Sequence, residues 1–368
     1  MRFRKSETLK SIESLHRYYI KNTGTHLAGS FIDSSRTELY RIQTTRKAYF
    51  SKHGIFLNLP KIFKRRRFSK YEPSLSIYFL HSHYSIFKKL ARKSLISDPK
   101  SIYYATLPIG TVNAKVIQSP NKDSIILLNE GLFLFHYYLV ISLIGGMTFL
   151  VTDKYTKIPI GGILEINLKK LESKSMYTDL FKDVLVSYLK KGNTSHLKYK
   201  LNDSYGIYVK DYTVVSNFFV TAHEYGHIVL HIKKTQPNEL GYFRKHVKAG
   251  DLKHDSWLEE YESDAFAAYC AINYFSMMKG MPIDKCLHGI EAFFSFLEVL
   301  FLIKNEPIQV SHPPIKKRLN LCYRFMELEF KGIKSELTGK KGWVRQLVLK
   351  QWNVNKKDIL SELNSQID

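Results

Sequence analysis

The sequence predicts an α+β fold on three observations. A short β-branched stretch lies between Ser101 and Leu128, most of the text after it is apolar with helical periodicity, and 44% of the 368 residues are hydrophobic. That length and apolar content support a real core, in two domains or one elaborated domain, and exclude a disordered chain. The expected organisation is a basic, aromatic-rich region over 1–100, a folded domain over 101–334 and a small helical tail over 335–368.

Met1-Arg2-Phe3-Arg4-Lys5 leads into polar text with no apolar h-region, so no secretory signal is expected. Helices are expected from Glu7 to Lys21 and from Ser74 to Leu95. His81 and His83 form an H-x-H without a matching ligand set and read as ordinary surface or core histidines. Net charge is +23, and the first hundred residues carry 22 Lys and Arg against 6 Asp and Glu. The excess is densest from Lys61 to Tyr71, where Lys64-Arg65-Arg66-Arg67 stands between Phe63 and Phe68. Three readings stay open for it: a solvated face, a nucleic-acid partner whose phosphates it tracks, or an acidic protein partner.

Ile102–Ala105, Thr111–Gln118 and Ser124–Leu128 read as strands, the last two forming a hairpin around Ser119-Pro120-Asn121-Lys122. Asn129-Glu130-Gly131 opens a helix. The run from Gly131 to Val151 has no Lys, Arg, Asp or Glu, so it fits either a membrane span or a buried helix. Ile290 to Ile303 is too short to span and reads as a buried bundle helix. An insertion over 152–212 contains a helix from Asp179 to Lys191, stopped by Gly192. Cys270, Cys286 and Cys322 form no C-x-x-C and sit in apolar helical text, which favours buried thiols in a reducing cytoplasm. Trp343 and Trp352 mark short amphipathic helices in the tail.

The stretch Thr221-Ala222-His223-Glu224-Tyr225-Gly226-His227-Ile228-Val229-Leu230-His231 carries H-E-x-x-H. On a helix, positions i and i+4 share a face, so His223 and His227 can converge on one zinc ion, with Glu224 beside them as general base. Val214, Val215, Phe218, Phe219, Ala222, Tyr225, Gly226 and Val229 recur at three- and four-residue spacing, as on a helix with one buried face. Packing alone would leave three polar side chains there in search of partners, at about 1–3 kcal/mol each.

A catalytic zinc needs a third protein ligand. Ser256-Trp257-Leu258-Glu259 has the form of a capping box, S-x-x-E, and starts a helix with Glu260 and Asp264 at i and i+4. One carboxylate can bind metal while the other fixes a ligand histidine's tautomer. An acidic first turn favoured by the helix dipole is the plain alternative. His231 is a rival third ligand, although on one straight helix it lies too far along the axis.

These residues resemble the gluzincin metallopeptidases, in which a helical H-E-x-x-H precedes a second helix bearing E-x-x-x-D. The resemblance implies a zincin-like domain with His223, His227 and Glu260 as zinc ligands, Glu224 as base and Asp264 as the acid behind a ligand. The metzincin pattern fails, because Leu230 and Lys233 stand where Gly and His are required. The strand before the zinc helix resembles that of HtpX-type and CAAX-prenyl proteases, which implies substrate contacts at Asn113 and Ala114. Ser311-His312-Pro313-Pro314, with Arg318, resembles the segment that follows E-x-x-x-D in the same families. There His312 is either a donor to the oxyanion or a helix cap. Soluble relatives of this motif set include Lit-type phage-exclusion peptidases and ImmA/IrrE-type regulators. The implied activity is zinc-dependent cleavage of an intracellular protein, in phage defence or stress regulation. A membrane-embedded quality-control protease and a nucleic-acid-binding protein on a zincin scaffold are the alternatives.

Overall fold

The structure, a computed structural model, describes residues 10, 12, 14–18, 74–93, 102–107, 111–119, 122–145, 148–149, 163–165, 176–194, 197, 206–232, 242–247, 254–304, 312–330 and 341–365. The basic run 61–71 and the hairpin residues Pro120 and Asn121 lie outside them. The described fold is α+β, mostly helical, with one small mixed sheet.

Helix α1 (Ser74–Lys93) precedes strands β1 (Ile102–Leu107), β2 (Ala114–Gln118) and β3 (Ser124–Asn129), ordered β1-β3-β2. β3 is central, parallel to β1 and antiparallel to β2, with Val116 opposite Ile126. Every residue of β3 is buried, as its unbroken apolar text requires, whereas β2 keeps one edge without a strand partner among the described residues. The hairpin closes with Lys122 at φ 60° and its N–H donating to the Ser119 carbonyl at 2.8 Å. His83 is a core histidine, packed on Phe87 and Phe218, and burial lowers its pKa to about 3.

Helix α2 (Glu130–Gly145) follows directly, and Thr148–Phe149 (β4) pairs antiparallel with Ile163–Glu165 (β5). The apolar run 131–151 is therefore not one helix. Its first fifteen residues and the preceding Glu130 form the 16-residue α2, shorter than the roughly 20 that a span needs, and Leu139, Val140, Leu143 and Ile144 are fully buried. Helix α3 (Met176–Lys191) ends on Gly192 at φ 65°, whose N–H donates to the Tyr188 carbonyl at 2.8 Å.

Helix α4 (Gly206–Gly226) runs into a π-helical turn (His227–Ile232), and α5 (Asp255–Ala271) into another (Ile272–Met278). Helices α6 (Ile283–Lys304), α7 (Ile315–Glu329) and α8 (Trp343–Asn364) complete the described order. The segment 290–303, expected to be short, belongs to the 22-residue α6, which by length and composition is apolar enough to cross a membrane; 72% of its most apolar window is buried inside the protein. Two cores meet on α6. Ile290 and Phe294 join α1, the sheet, α4, α5 and α7, while Ala292, Phe296 and Val299 join α2, α3 and α8. The described part of the tail is one helix where several short ones were expected, because Val344, Leu347, Val348, Trp352 and Ile359 bury a continuous stripe in the second core.

Gly289 sets the crossing of α6 over α4. A Cβ there would stand 2.6 Å from the Val215 Cβ, and Ser216 Oγ donates to the Gly289 carbonyl at 2.6 Å. Gly289→Ala is expected to destabilise the protein by about 1–3 kcal/mol in urea unfolding. Adding Val215→Ala should recover part of that loss; a neutral Gly289→Ala would show that the helices separate freely.

Candidate metal centre

The site forms where α4 and α5 pack closely. His223 faces Asp264 and His227 faces Glu260, so the two helices run antiparallel. Gly226 permits the approach: a Cβ there would lie 3.2 Å from the Ser263 Cα and 3.3 Å from the Phe266 ring. Both helices present their polar residues four apart at this seam, each within an otherwise apolar surface.

His223, His227 and Glu260 form a group that could hold a metal ion, each offering one ligand atom and all three atoms within 4.8 Å of one another. The two Nε2 atoms are 3.1 Å apart; Glu260 Oε1 stands 3.3 Å from His227 Nε2 and Glu260 Oε2 stands 3.6 Å from His223 Nε2. On the far side of His223, Nδ1 is 2.9 Å from Asp264 Oδ1. That contact assigns the Nδ1–H to Asp264 and leaves the Nε2 lone pair facing His227 and Glu260. Lone pairs and a carboxylate gathered this closely could hold a cation.

Arg318 of α7 is the site residue that the sequence reading left without a role. It donates through Nε and Nη2 to both oxygens of Asp264, at 2.7 and 2.8 Å, and its Nη1 lies 3.1 Å from Glu260 Oε2. Arg318 and Asp264 are buried. The available signal was the Arg of S-H-P-P-x-x-x-R, a position whose partners only the packing of α7 on α5 reveals.

Charge follows geometry. Burial alone would raise Glu260 and Asp264, but Arg318 holds both below the usual carboxylate range, together with His227 and His223 at Glu260 and with His223 at Asp264. Burial opposes a cation at His223, yet the hydrogen bond and charge of Asp264, with the charge of Glu260, raise it. Glu224 is raised by burial, against the pull of His223 and His227. The Arg318 guanidinium, penalised by burial, is held charged by Asp264 and Glu260.

His231 does not join the group. The π-helical turn that begins at His227 changes the helical spacing, and His231 Nδ1 faces Glu262 at 3.7 Å, a carboxylate that Arg244 Nε also reaches at 2.7 Å. Burial, then the charge of His227, lowers the His231 pKa to about 4. The capping box is also absent. The helix starts at Asp255 with His254 as N-cap and no side-chain cap, which places Ser256 inside the first turn.

His312 is half-exposed with Nε2 at 3.5 Å from Glu260 Oε1, so the centre reaches it. It is not the helix cap, because Pro314 occupies that position and both prolines precede the helix. Burial lowers its pKa, against the charge of Glu260. Ala114 pairs with Leu128 on β2, and the Asn113 carbonyl accepts from the Asn129 N–H at 3.0 Å. Strand β2 lies against α4, the helix that carries the two histidines. Cys270, Cys286 and Cys322 are buried free thiols and are not members of this group.

No family model matches the chain, and no curated protein or solved structure was found that matches it.

Proposed function

We propose that this chain is a zinc-dependent endopeptidase of the gluzincin kind, with a zincin-like domain acting on a protein or peptide. The observation that carries the reading is the convergence of two imidazole nitrogens and one carboxylate. A tetrahedral ion with bonds of about 2.0–2.1 Å puts its ligands about 3.3 Å apart; here the two Nε2 atoms are 3.1 Å apart, Glu260 Oε1 is 3.3 Å from His227 Nε2 and Glu260 Oε2 is 3.6 Å from His223 Nε2. Two histidines and one carboxylate leave a fourth position open, as catalytic zinc requires and structural zinc does not.

Zinc in such a site supplies Lewis acidity, polarising a carbonyl and lowering the pKa of water to about 7. The chain's own residues do the rest. Glu224 takes the proton as water adds to the scissile carbonyl carbon, then delivers it to the amine as the C–N bond breaks. Its burial-raised pKa brings its basicity closer to neutral pH. Asp264 keeps His223 in the ligating tautomer, and Arg318 anchors Asp264 and Glu260 together. His312, half-exposed beside Glu260, donates to the developing oxyanion. The edge of β2 that has no strand partner among the described residues, entered through Asn113 and Ala114, pairs with an extended substrate. A selective role on an intracellular protein, in phage defence or stress regulation, fits a site of this kind in a cytoplasmic protein.

Zinc content tests the reading. Wild type and Glu224→Gln are expected to hold about one zinc per chain, and Glu260→Ala to lose it on dialysis. If Glu260→Ala retains zinc as tightly as wild type, Glu260 is not a ligand and the gluzincin reading falls.

A further inference from the structure

Glu291 sits in the middle of α6 with no solvent exposure, and both of its oxygens are used. Oε1 accepts from the Tyr323 hydroxyl at 2.5 Å and from the Gly342 N–H at 2.7 Å; Oε2 accepts from the Val344 N–H at 2.9 Å. The Gly342 N–H also lies 3.0 Å from the Tyr323 hydroxyl. The first N–H groups of a helix have no partners within it, and a carboxylate there is favoured by the dipole. Helix α8 has Gly342 at its N-cap, with φ 73° and no side chain to serve, so its cap comes from α6 and is shared with α7.

Tyr323 lies five residues after Arg318 on the same helix. Between them, Cys322 Sγ contacts the Asp264 carbonyl at 3.9 Å. One element of 15 residues therefore holds the cap of α8 near its middle and the carboxylates of the metal centre near its start. Whatever fixes Tyr323 also fixes where Arg318 can stand, and Arg318 sets the position of Glu260.

We infer that the docked N-terminus of α8 controls how tightly the His223–His227–Glu260 group holds its metal, acting through Glu291, Tyr323 and Arg318. This rests on the metal reading above and adds a control element to it. Docking of α8 keeps α7 in register and Glu260 aimed at the two histidines; release of α8 frees α7 and lowers metal affinity. Linkage makes the effect reciprocal, so metal binding must tighten the first turns of α8.

Tyr323→Phe removes one hydroxyl and no bulk. The pair between Arg345 and Glu298, at 2.6 Å on both sides, keeps α8 on α6 in that variant. Zinc affinity is measured by competition with a chromogenic chelator, and amide exchange over 344–350 with and without zinc. Tyr323→Phe is expected to weaken zinc binding about fivefold or more. Zinc should slow exchange over 344–350 in wild type and have a smaller effect in the variant. Ile125→Val, in the sheet core away from α7 and α8, serves as the control for general destabilisation and should stay within about twofold of wild type. Unchanged affinity in Tyr323→Phe overturns the inference. Equal weakening in Ile125→Val, or exchange in wild type that ignores zinc, does the same. If Tyr323→Phe does not fold, the exchange measurement on wild type alone decides. A wild type that binds no zinc refutes the metal reading itself, which separates that failure from failure of the control element.

Discussion

Glu224→Gln is expected to abolish new cleavage in cells expressing the protein while leaving its zinc content at the wild-type level. A positioned general base contributes about 10²–10⁴-fold to such a reaction. The amide keeps the shape of the carboxylate and cannot take the proton from water. Glu224 is half-buried and raised by burial, so neutralising it should leave the melting temperature unchanged or slightly higher. The measurement is a comparison of protein N-termini by mass spectrometry in cells expressing wild type, Glu224→Gln or neither. N-termini that arise with wild type and vanish with the variant identify the substrate as well as the role. The same new N-termini from both proteins would remove Glu224 from the chemistry.

Arg318→Met is expected to have the largest effect on stability, about 3–5 kcal/mol in urea unfolding, because it leaves two buried carboxylates without their cation. Arg318→Lys should restore only part of this, since an ammonium cannot reproduce the two parallel bonds to Asp264. The pH dependence has a definite sign. Asp264 and Glu260 are held below their ordinary values, so the stability they contribute is present above the unfolded carboxylate pKa and lost as pH falls through the lower folded values. Without Arg318 that protection shrinks, and acid unfolding should begin at a higher pH than in wild type. Asp264→Asn combined with Arg318→Met should recover part of the loss, because one stranded charge is then gone. If Arg318→Met unfolds in acid at the same pH as wild type, the pairing contributes nothing.

The sheet strands, the buried face of α4 and the polar pairs four residues apart on α4 and α5 were legible because they depend on local periodicity. Alternating or unbroken β-branched text marks a strand, and polar residues four apart on an apolar helix mark a seam. His223 and His227 lie beside Asp264 and Glu260 as that spacing allows, and α3 ends at the glycine that its text supplies. Boundaries and caps were less legible. The start of α5 at Asp255 and the union of the tail into α8 follow from packing, which overrides a local capping pattern.

The chain's sequence determined by itself which residues share a helix face, since that follows from 3.6 residues per turn. Only the tertiary structure decided which faces meet. Gly226 against Ser263 brings Glu260 to the two histidines, the π-helical turn accompanies a His231 that faces Glu262, and α7 delivers Arg318 from 54 positions beyond Asp264. None of these has a local signature, because each depends on the distance between two helices, which is set by the size and charge of side chains far apart in the chain.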